Sequence, residues 1–435
     1  MAERMWQNWA GNVAASGFDV LAPATTEEVA EAVALAARTG RKVKAIGAGH
    51  SFSAIGQPVD LQLQLHRLTG IVSHDVHTQR VRVRAGTRLR EMNPALWDLG
   101  LAMPNLGDFD GQTVSGAIAT GTHGTGDALT GLAGFVRAIE MVLADGSVVR
   151  YDDAHQPDRV AAAAVGLGAL GIVTEYELQC VPAFLLRAHE SPDRLDAVLE
   201  RLPEIVEGQD HFEFFYFPHT DRVQTKTNVR LEATEQANPL PRWRATLDDK
   251  ILANSAFEGI NRVTSRAPTL IPRVNQLTAR VLTERTYTDR SYSVLTTERT
   301  VRFRESELSM PRDQVAGALR TLRDYFHRGD QRVTFPVEVR FTAADDRWLS
   351  TSYGRPSAYV AIHQYHRLSE QPYFGDVWKM LMGPEVRPHW GKMHDLRAAD
   401  LRARYERFDD FVELRDRLDP DRVFGNSHLE QVLGG

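Results

Sequence analysis

"PNLGDFDGQTVSGAIATGTHGTG", residues 104–126, crowds Gly, Thr and Ser into a stretch whose only charged side chains are Asp108 and Asp110. Such a composition lets backbone N–H groups and hydroxyls converge on a pyrophosphate without help from cations. A second glycine turn, "IGAGHSFS" at 46–53, follows the short alternating strand "KVKAIG". It is not a Rossmann fingerprint. Phe52 stands where the third glycine belongs, and "SAIGQPVD" reads as loop where a helix would have to open. Two anion-cradling loops in one half of a chain favour an extended dinucleotide over a pair of surface turns.

The segments around these loops alternate helix and strand. Thr25 and Glu28 have capping-box spacing ahead of "TEEVAEAVALAARTG", which closes on Gly40 as a C-terminal cap. "RVRVRAGTRLREMNPALWDLG" reads as strand, turn at Gly86 and helix ending near Gly100. "FVRAIEMVLADGSVVRYD" reads as a hairpin turning at Asp145-Gly146, and "DRVAAAAVGLGALGIVTEYELQCVP" as helix, glycine turn and strand. Later, glycine thins out and long alternating strands take over in "HFEFFYFPHTDRVQTKTNVR", "YSVLTTERTVRFRESELSMP" and "RVTFPVEVRFTAADD". "RDQVAGALRTLRDYFHR" and "RAADLRARYERFDDFVELRDRL" read as amphipathic helices. The expected architecture is α+β: a cofactor domain over 1–182 and a substrate domain over 183–399 with a large antiparallel sheet under helices. The segment from about 400 to 435 is expected to pack back on the first domain.

Composition narrows the function. A length of 435 residues predicts two domains, and 43% hydrophobic with 25% charged residues is the balance of a globular protein. A net charge of −6 argues against a nucleic-acid or acidic-membrane coat. Cys180 is the only cysteine, which excludes an intrachain disulfide and fits a reducing cytoplasm. It reads as a buried, inert thiol. No segment has the length and apolarity of a membrane span, and "ANSAFEGINRVTSRAPTLIPRVNQLTARVL" reads as helix and loop.

The order "GAGHS", "NLG", "SGAIATGTHGTG" and "GALGIVTEYELQCVP" resembles the FAD-binding domain of the vanillyl-alcohol oxidase superfamily. Within it the chain is similar to the aldonolactone oxidases, the L-gulono-1,4-lactone and D-arabinono-1,4-lactone group. The likeness runs almost end to end and is weakest over about 225–290. It implies FAD bonded through its 8α carbon to His50, with Gly47, Ala48, Gly49, Ser51 and Phe52 along one side. It places Gly107, Thr113, Gly116, Ile118, Gly121, Thr122, His123 and Gly124 along the other, and Ile172 and Val173 at the adenine end. For His123 a purely structural role is an equal alternative.

In "FPVEVRFT" alternation puts Val337, Val339 and Phe341 on one face and Glu338 with Arg340 on the other, their Cβ atoms roughly 6.5–7 Å apart. By pattern alone this is an ordinary solvated face. "AYVAIHQYH" sets Tyr359, Ala361, His363 and Tyr365 together, and "RPHWGKMHDL" reads as a shaped loop. The resemblance turns Glu-x-Arg and His-Trp-x-Lys toward the flavin. Glu338 would then orient hydroxyls, Arg340 and Lys392 would stabilise the reacting oxygen, and His363 would take its proton. His389 and Trp390 would shape the loop. The implied reaction is oxidation of an aldono-1,4-lactone at its C2 hydroxyl to an ascorbate-type product. Gly107 implies access for O2 and release of H2O2. Rivals are an alditol oxidase, a lactone dehydrogenase with another acceptor, a metal hydrolase built on His363, His366, His389 and His394, and a non-catalytic binder. Alditol oxidases carry Ser at the Thr113 position and Thr at the Tyr365 position. No metal is expected, and carboxylates look poorly placed around those histidines.

Overall fold

The computed structural model describes residues 5–241, 256–297, 300–329 and 331–435. The first half is built around two main sheets, with two small two-stranded pairs beside them. Strands Asp19–Leu21, Leu61–Gln64 and Val43–Ile46 pair in parallel in that order. Strands Val148–Asp152, Val136–Val142, Ile172–Gln179, Arg80–Arg84 and Ile71–Asp75 form an antiparallel sheet. The expected helix runs from Thr26 to Arg38, with Thr25 Oγ1 accepting from Glu28 N and Gly40 in the left-handed region at φ 66°. The hairpin turns at Asp145-Gly146 as expected. Cys180 is buried among apolar neighbours, and burial pushes its thiol up to about 12.

The second half is one eight-stranded antiparallel sheet. Its order is Arg285–Arg290, Phe184–Arg194, Arg222–Glu232, His211–Tyr216, Val337–Thr342, Ser357–Tyr365, Phe303–Pro311 and Arg387–Pro388. One face packs Phe214, Val339, Phe341, Val360 and Ile362 against the Val315–Arg328 helix. Three sequence expectations need correcting. Among the described residues of "YSVLTTERTVRFRESELSMP" only Phe303–Pro311 is strand, because Ser291–Leu295 coils into a short helix with Val294 and Leu295 buried. "RAADLRARYERFDDFVELRDRL" is two helices, Ala398–Arg402 and Phe408–Leu418, since a turn buries Tyr405 and sends its hydroxyl to the Pro388 carbonyl. "SAIGQPVD" contains a single 3-10 turn, Ala54–Gly56.

The C-terminal helices join the first half's core through Leu401, Phe411, Leu414 and Val432. Asn426 makes the join specific. Its Nδ2 donates to the carbonyls of Ala54, Ile55 and Gln57 at 3.1–3.2 Å, while its Oδ1 caps the Ser427–Leu433 helix. Lys44 adds a bond from Nζ to the Phe424 carbonyl at 3.0 Å.

Candidate active site

Two cavities meet at His50. The larger, about 450 Å³, is lined by Gly47, Ala48, Gly49, His50, Ser51, Thr113, Gly116, Ile172 and Val173 among others. The smaller, about 80 Å³, lies between the glycine loops and the eight-stranded sheet, and His50, Ser51, Gln112 and Thr120 line both.

The glycines of the first loop are placed by backbone need. Gly49 sits at φ 69°, a conformation costly for any residue with a Cβ. A Cβ on Gly47 would collide with Thr113 Oγ1, so the two loops approach only because it is absent. An N-terminal ribbon holds the turn from outside. Trp9 N donates to Gly49 O at 2.8 Å, Asn8 Nδ2 to Ser51 O at 3.0 Å and Asn12 Nδ2 to Phe52 O at 2.8 Å. The Trp9 ring stacks on His50 at 4.6 Å. From the other side, the Gly391 carbonyl accepts Phe52 N at 2.6 Å and the Trp390 carbonyl accepts Ser53 Oγ at 3.0 Å. The large cavity suits a dinucleotide: two glycine turns with Ser and Thr residues line it, and the buried Tyr176 hydroxyl faces it with no hydrogen-bond partner among the described residues.

The remaining expected cofactor residues divide. Phe52, Gly107, Thr122 and His123 line the small cavity. Ile118, Gly121 and Gly124 line neither. Ile118 belongs to the core, Gly121 turns the chain at φ 80°, and Gly124 lies so close to Asn105 and the Leu106 carbonyl that a Cβ would not fit.

The sheet supplies the floor of the small cavity through its register. Glu307 pairs with Ala361 and Glu338 pairs with the same Ala361, so two acids flank one methyl in adjacent strands. Glu305 lies opposite His363. Glu338 and Arg340 are not a solvated face: they are 5% and 8% exposed and form an ion pair. Arg340 also meets Glu213 at 2.9 Å and Asp108 at 3.7 Å. Burial would lower its pKa, but Glu338, Asp108 and Glu213 together drive it well above the ordinary value. Behind it a row of alternating charge crosses five strands, Arg285, Glu190, Lys226, Glu213 and Arg340. Arg285 meets Glu190 at 2.8 Å and Lys226 meets Glu213 at 3.6 Å. For Glu213, burial works upward, yet Arg340 and then Lys226 hold its pKa below the usual range.

Lys392 lines the same cavity and pairs with Glu305 at 2.5 Å. Burial raises the Glu305 pKa, but Lys392 and then His363 outweigh it and hold the group down at about 2. Lys392 is raised in turn, with Glu305 and Glu307 overcoming its burial. His363 is the one expected catalytic residue that does not line the cavity. It stands behind Glu305, with Nε2 at 3.5 Å from Oε1 and Nδ1 at 3.2 Å from the Pro336 carbonyl. His123 stacks on Tyr359 at 3.6 Å, directs Nδ1 to the Gly124 carbonyl and sets Nε2 at 3.3 Å from Glu307. His389 accepts Gly391 N on Nδ1, and burial pushes its pKa down to about 4. Trp390 is fully buried, its Nε1 donating to the Leu349 carbonyl, so it shapes the loop.

Sequence reasoning missed Glu305, Glu307, Glu213, Lys226 and Trp9. The signal for the first two was Glu-x-Glu in "RFRESELSMP", an alternating pair of acids in a strand otherwise reading as core. Carboxylates are therefore plentiful beside the histidines, contrary to expectation. The four histidines of the hydrolase rival do not gather; among the described residues the group with metal-like spacing is His123, Glu307 and His389. In it the two nearest-placed imidazoles already bond to backbone on Nδ1.

Comparison with known proteins gives these features a context. Residues 176–432 match the D-arabinono-1,4-lactone oxidase family, and residues 19–152 match an FAD binding domain. An L-gulono-1,4-lactone dehydrogenase of Mycobacterium tuberculosis is 39% identical over 99% of both chains. An L-gulonolactone oxidase of Mus musculus is 31% identical over 98% of both. An alditol oxidase of a Streptomyces species is 33% identical, covering 98% of this chain and 99% of its own. Among solved structures, the cholesterol oxidase of B. sterolicum superposes with a TM-score of 0.77 over 99% of this chain and 97% of its own. At 17% identity that likeness speaks for the fold alone, the vanillyl-alcohol-oxidase type in mixed α+β form.

Proposed function

The chain belongs to the D-arabinono-1,4-lactone oxidase family, FAD-linked oxidoreductases acting on CH–OH groups, and on that premise we propose that it oxidises an aldono-1,4-lactone at its C2 hydroxyl. L-gulono-1,4-lactone or a close relative is the substrate, and the 2-keto lactone formed enolises to an ascorbate-type ene-diol. The observation that carries the reading is the balance of the small cavity. Asp108, Glu305, Glu307 and Glu338 line it against only Lys392 and Arg340. A wall with more carboxylates than cations repels an aldonate or other acid and offers acceptors to several hydroxyls of a neutral ring.

FAD fits the larger cavity, and when bound its isoalloxazine supplies a two-electron acceptor for the hydrogen on C2. The protein's own residues do the rest. Glu338 and Asp108 accept hydrogen bonds from ring hydroxyls and fix which carbon faces the acceptor. Arg340 and Lys392 stabilise the C2 oxygen as its proton departs. His363 positions Glu305, and through it Lys392, from behind. The hydroxyl proton passes to His123 Nε2, where Glu307 stands ready as counter-charge. His50 would hold the flavin through a covalent 8α link, which would retain the cofactor and raise its potential.

Dioxygen is the proposed terminal acceptor, leaving as hydrogen peroxide. Supporting this, a Cβ at Gly107 would lie 2.8 Å from Thr122 Cγ2 and 3.3 Å from the His123 carbonyl, so glycine keeps room in a wall of the small cavity. The dehydrogenase name of the 39%-identical relative favours a second reading with a different acceptor. The test sets purified holoprotein against L-gulono-1,4-lactone, its hydrolysed aldonate and xylitol, in air and with an electron-accepting dye. Turnover of the lactone alone, with peroxide in air, is expected. Dye-only turnover selects the second reading, faster xylitol turnover selects the alditol reading, and preference for the aldonate ends the proposal. Acid-precipitated protein should stay yellow; a colourless pellet removes the His50 link.

A further inference from the structure

A third cavity, about 490 Å³, shares no lining residue with the other two. Its walls carry Arg194, Arg222, Arg280 and Arg332. The first two come from paired strands and lie directly opposite each other in register. Like charges in that relation destabilise a sheet unless something of opposite charge sits between them. No described carboxylate bonds to any of the four guanidinium groups. The one acid in the lining, Asp221, faces His327 at 3.7 Å.

The site has a defined frame. His219 adopts a left-handed φ of 65°, and its ring is spent on backbone, Nδ1 toward the Phe326 carbonyl at 3.1 Å and Nε2 accepting Val333 N at 3.3 Å. That ring ties the turn carrying Arg222 to the segment carrying Arg332. Gly329 ends the Val315–Arg328 helix at φ 83°, and a Cβ there would press on the Arg332 guanidinium at 3.2 Å. Arg280 is presented by the last turn of the Ile271–Arg280 helix. The contrast with the dinucleotide cavity is chemical. There Lys44 and Arg88 are the only Lys or Arg in the lining, and both are bonded to carbonyl oxygens.

We propose that this cavity is a second binding site, for a phosphate group, with the facing arginines 194 and 222 as its fork and Arg280 and Arg332 as flanking donors. Guanidinium pairs suit phosphate oxygens bidentately, and four of them suit a multiply charged anion. The phosphate could be that of a soluble metabolite or of a lipid headgroup. Beside Arg280 the same helix exposes Leu277 at 63%, and Val281 follows at 65%, so the experiment must separate the sources.

Isothermal titration of the FAD-loaded enzyme with sodium pyrophosphate at low ionic strength is one arm. Sedimentation with phosphatidylcholine vesicles, with and without phosphatidic acid, is the other. Saturable pyrophosphate binding, weakened about tenfold or more in Arg194→Ser/Arg222→Ser with lactone turnover unchanged, establishes a soluble ligand. Sedimentation with the acidic vesicles only, lost in that variant and in Leu277→Ser, establishes a headgroup. No binding in either arm, or binding that survives arginine replacement, overturns the site.

Discussion

The two cavities that meet at His50 are made by opposite means. The larger is walled by two glycine turns and Ser and Thr residues, with apolar and amide side chains between them and no carboxylate in its lining. The smaller is floored by a dense set of buried ions, with Arg340 between Glu338, Glu213 and Asp108 and Lys392 against Glu305. One binds by shape and dipoles with little net charge. The other holds its geometry by electrostatic compensation, so each charge depends on its neighbours. Removing a glycine should therefore cost cofactor, whereas removing an ion should cost both fold and turnover.

The largest effect expected from this contrast is at Arg340. Arg340→Met takes a buried cationic partner from Glu213, Glu338 and Asp108 and should remove about 3–5 kcal/mol of unfolding free energy, read from urea denaturation. Gly49→Ala, at φ 69°, should cost only about 1 kcal/mol while lowering flavin content; equal stability losses would erase the distinction. Next is Lys392→Met, which should reduce kcat by about 10²–10³ with the flavin spectrum kept. Loss of the yellow colour instead would mean that the ion floor also holds the cofactor.

Acid should act on the floor before the loops. Glu305 is held at about 2 against an ordinary 4.5, so its carboxylate stabilises the fold fully above pH 4.5 and progressively less as pH falls toward 2. The loss is about 3 kcal/mol over that window. Melting followed from pH 6 to pH 3 should show about 2 kcal/mol of that decline in the parent and a shallower one in Lys392→Met. The smallest effect belongs to the distant end of the charge row. Lys226→Met should lower kcat a few-fold by letting Glu213 pull on Arg340, and Lys226→Arg should restore it. A drop in stability with unchanged kinetics would confine Lys226 to packing.

The same contrast explains what could be read from sequence. Gly47, Gly49 and the Thr-Gly run at 120–124 reveal themselves because a backbone demand is met within a few residues. The helix at 26–38 is legible for the same reason, with its caps Thr25 and Gly40. The ion floor is assembled by strand register from segments far apart. Glu213, Glu305, Glu307 and Lys226 look like ordinary alternating strand charges until pairing sets them beside Arg340 and Lys392. Family resemblance supplied Glu338, Arg340 and Lys392, and alternation alone would have left the first two in solvent. His363 stands behind Glu305 and outside the cavity lining; period-2 patterning gives the face of a residue and not what stands in front of it.

Asn426 carries a consequence for how the protein comes to hold its flavin. Its amide clasps the carbonyls just beyond the His50 turn from 372 positions further along the chain. During translation the glycine loops leave the ribosome long before that clasp exists, and a chain that folds vectorially has no finished crevice until the last helices dock. Flavin loading is thereby expected to wait for Asn426, and a chain that stops short of it would be released as apoprotein.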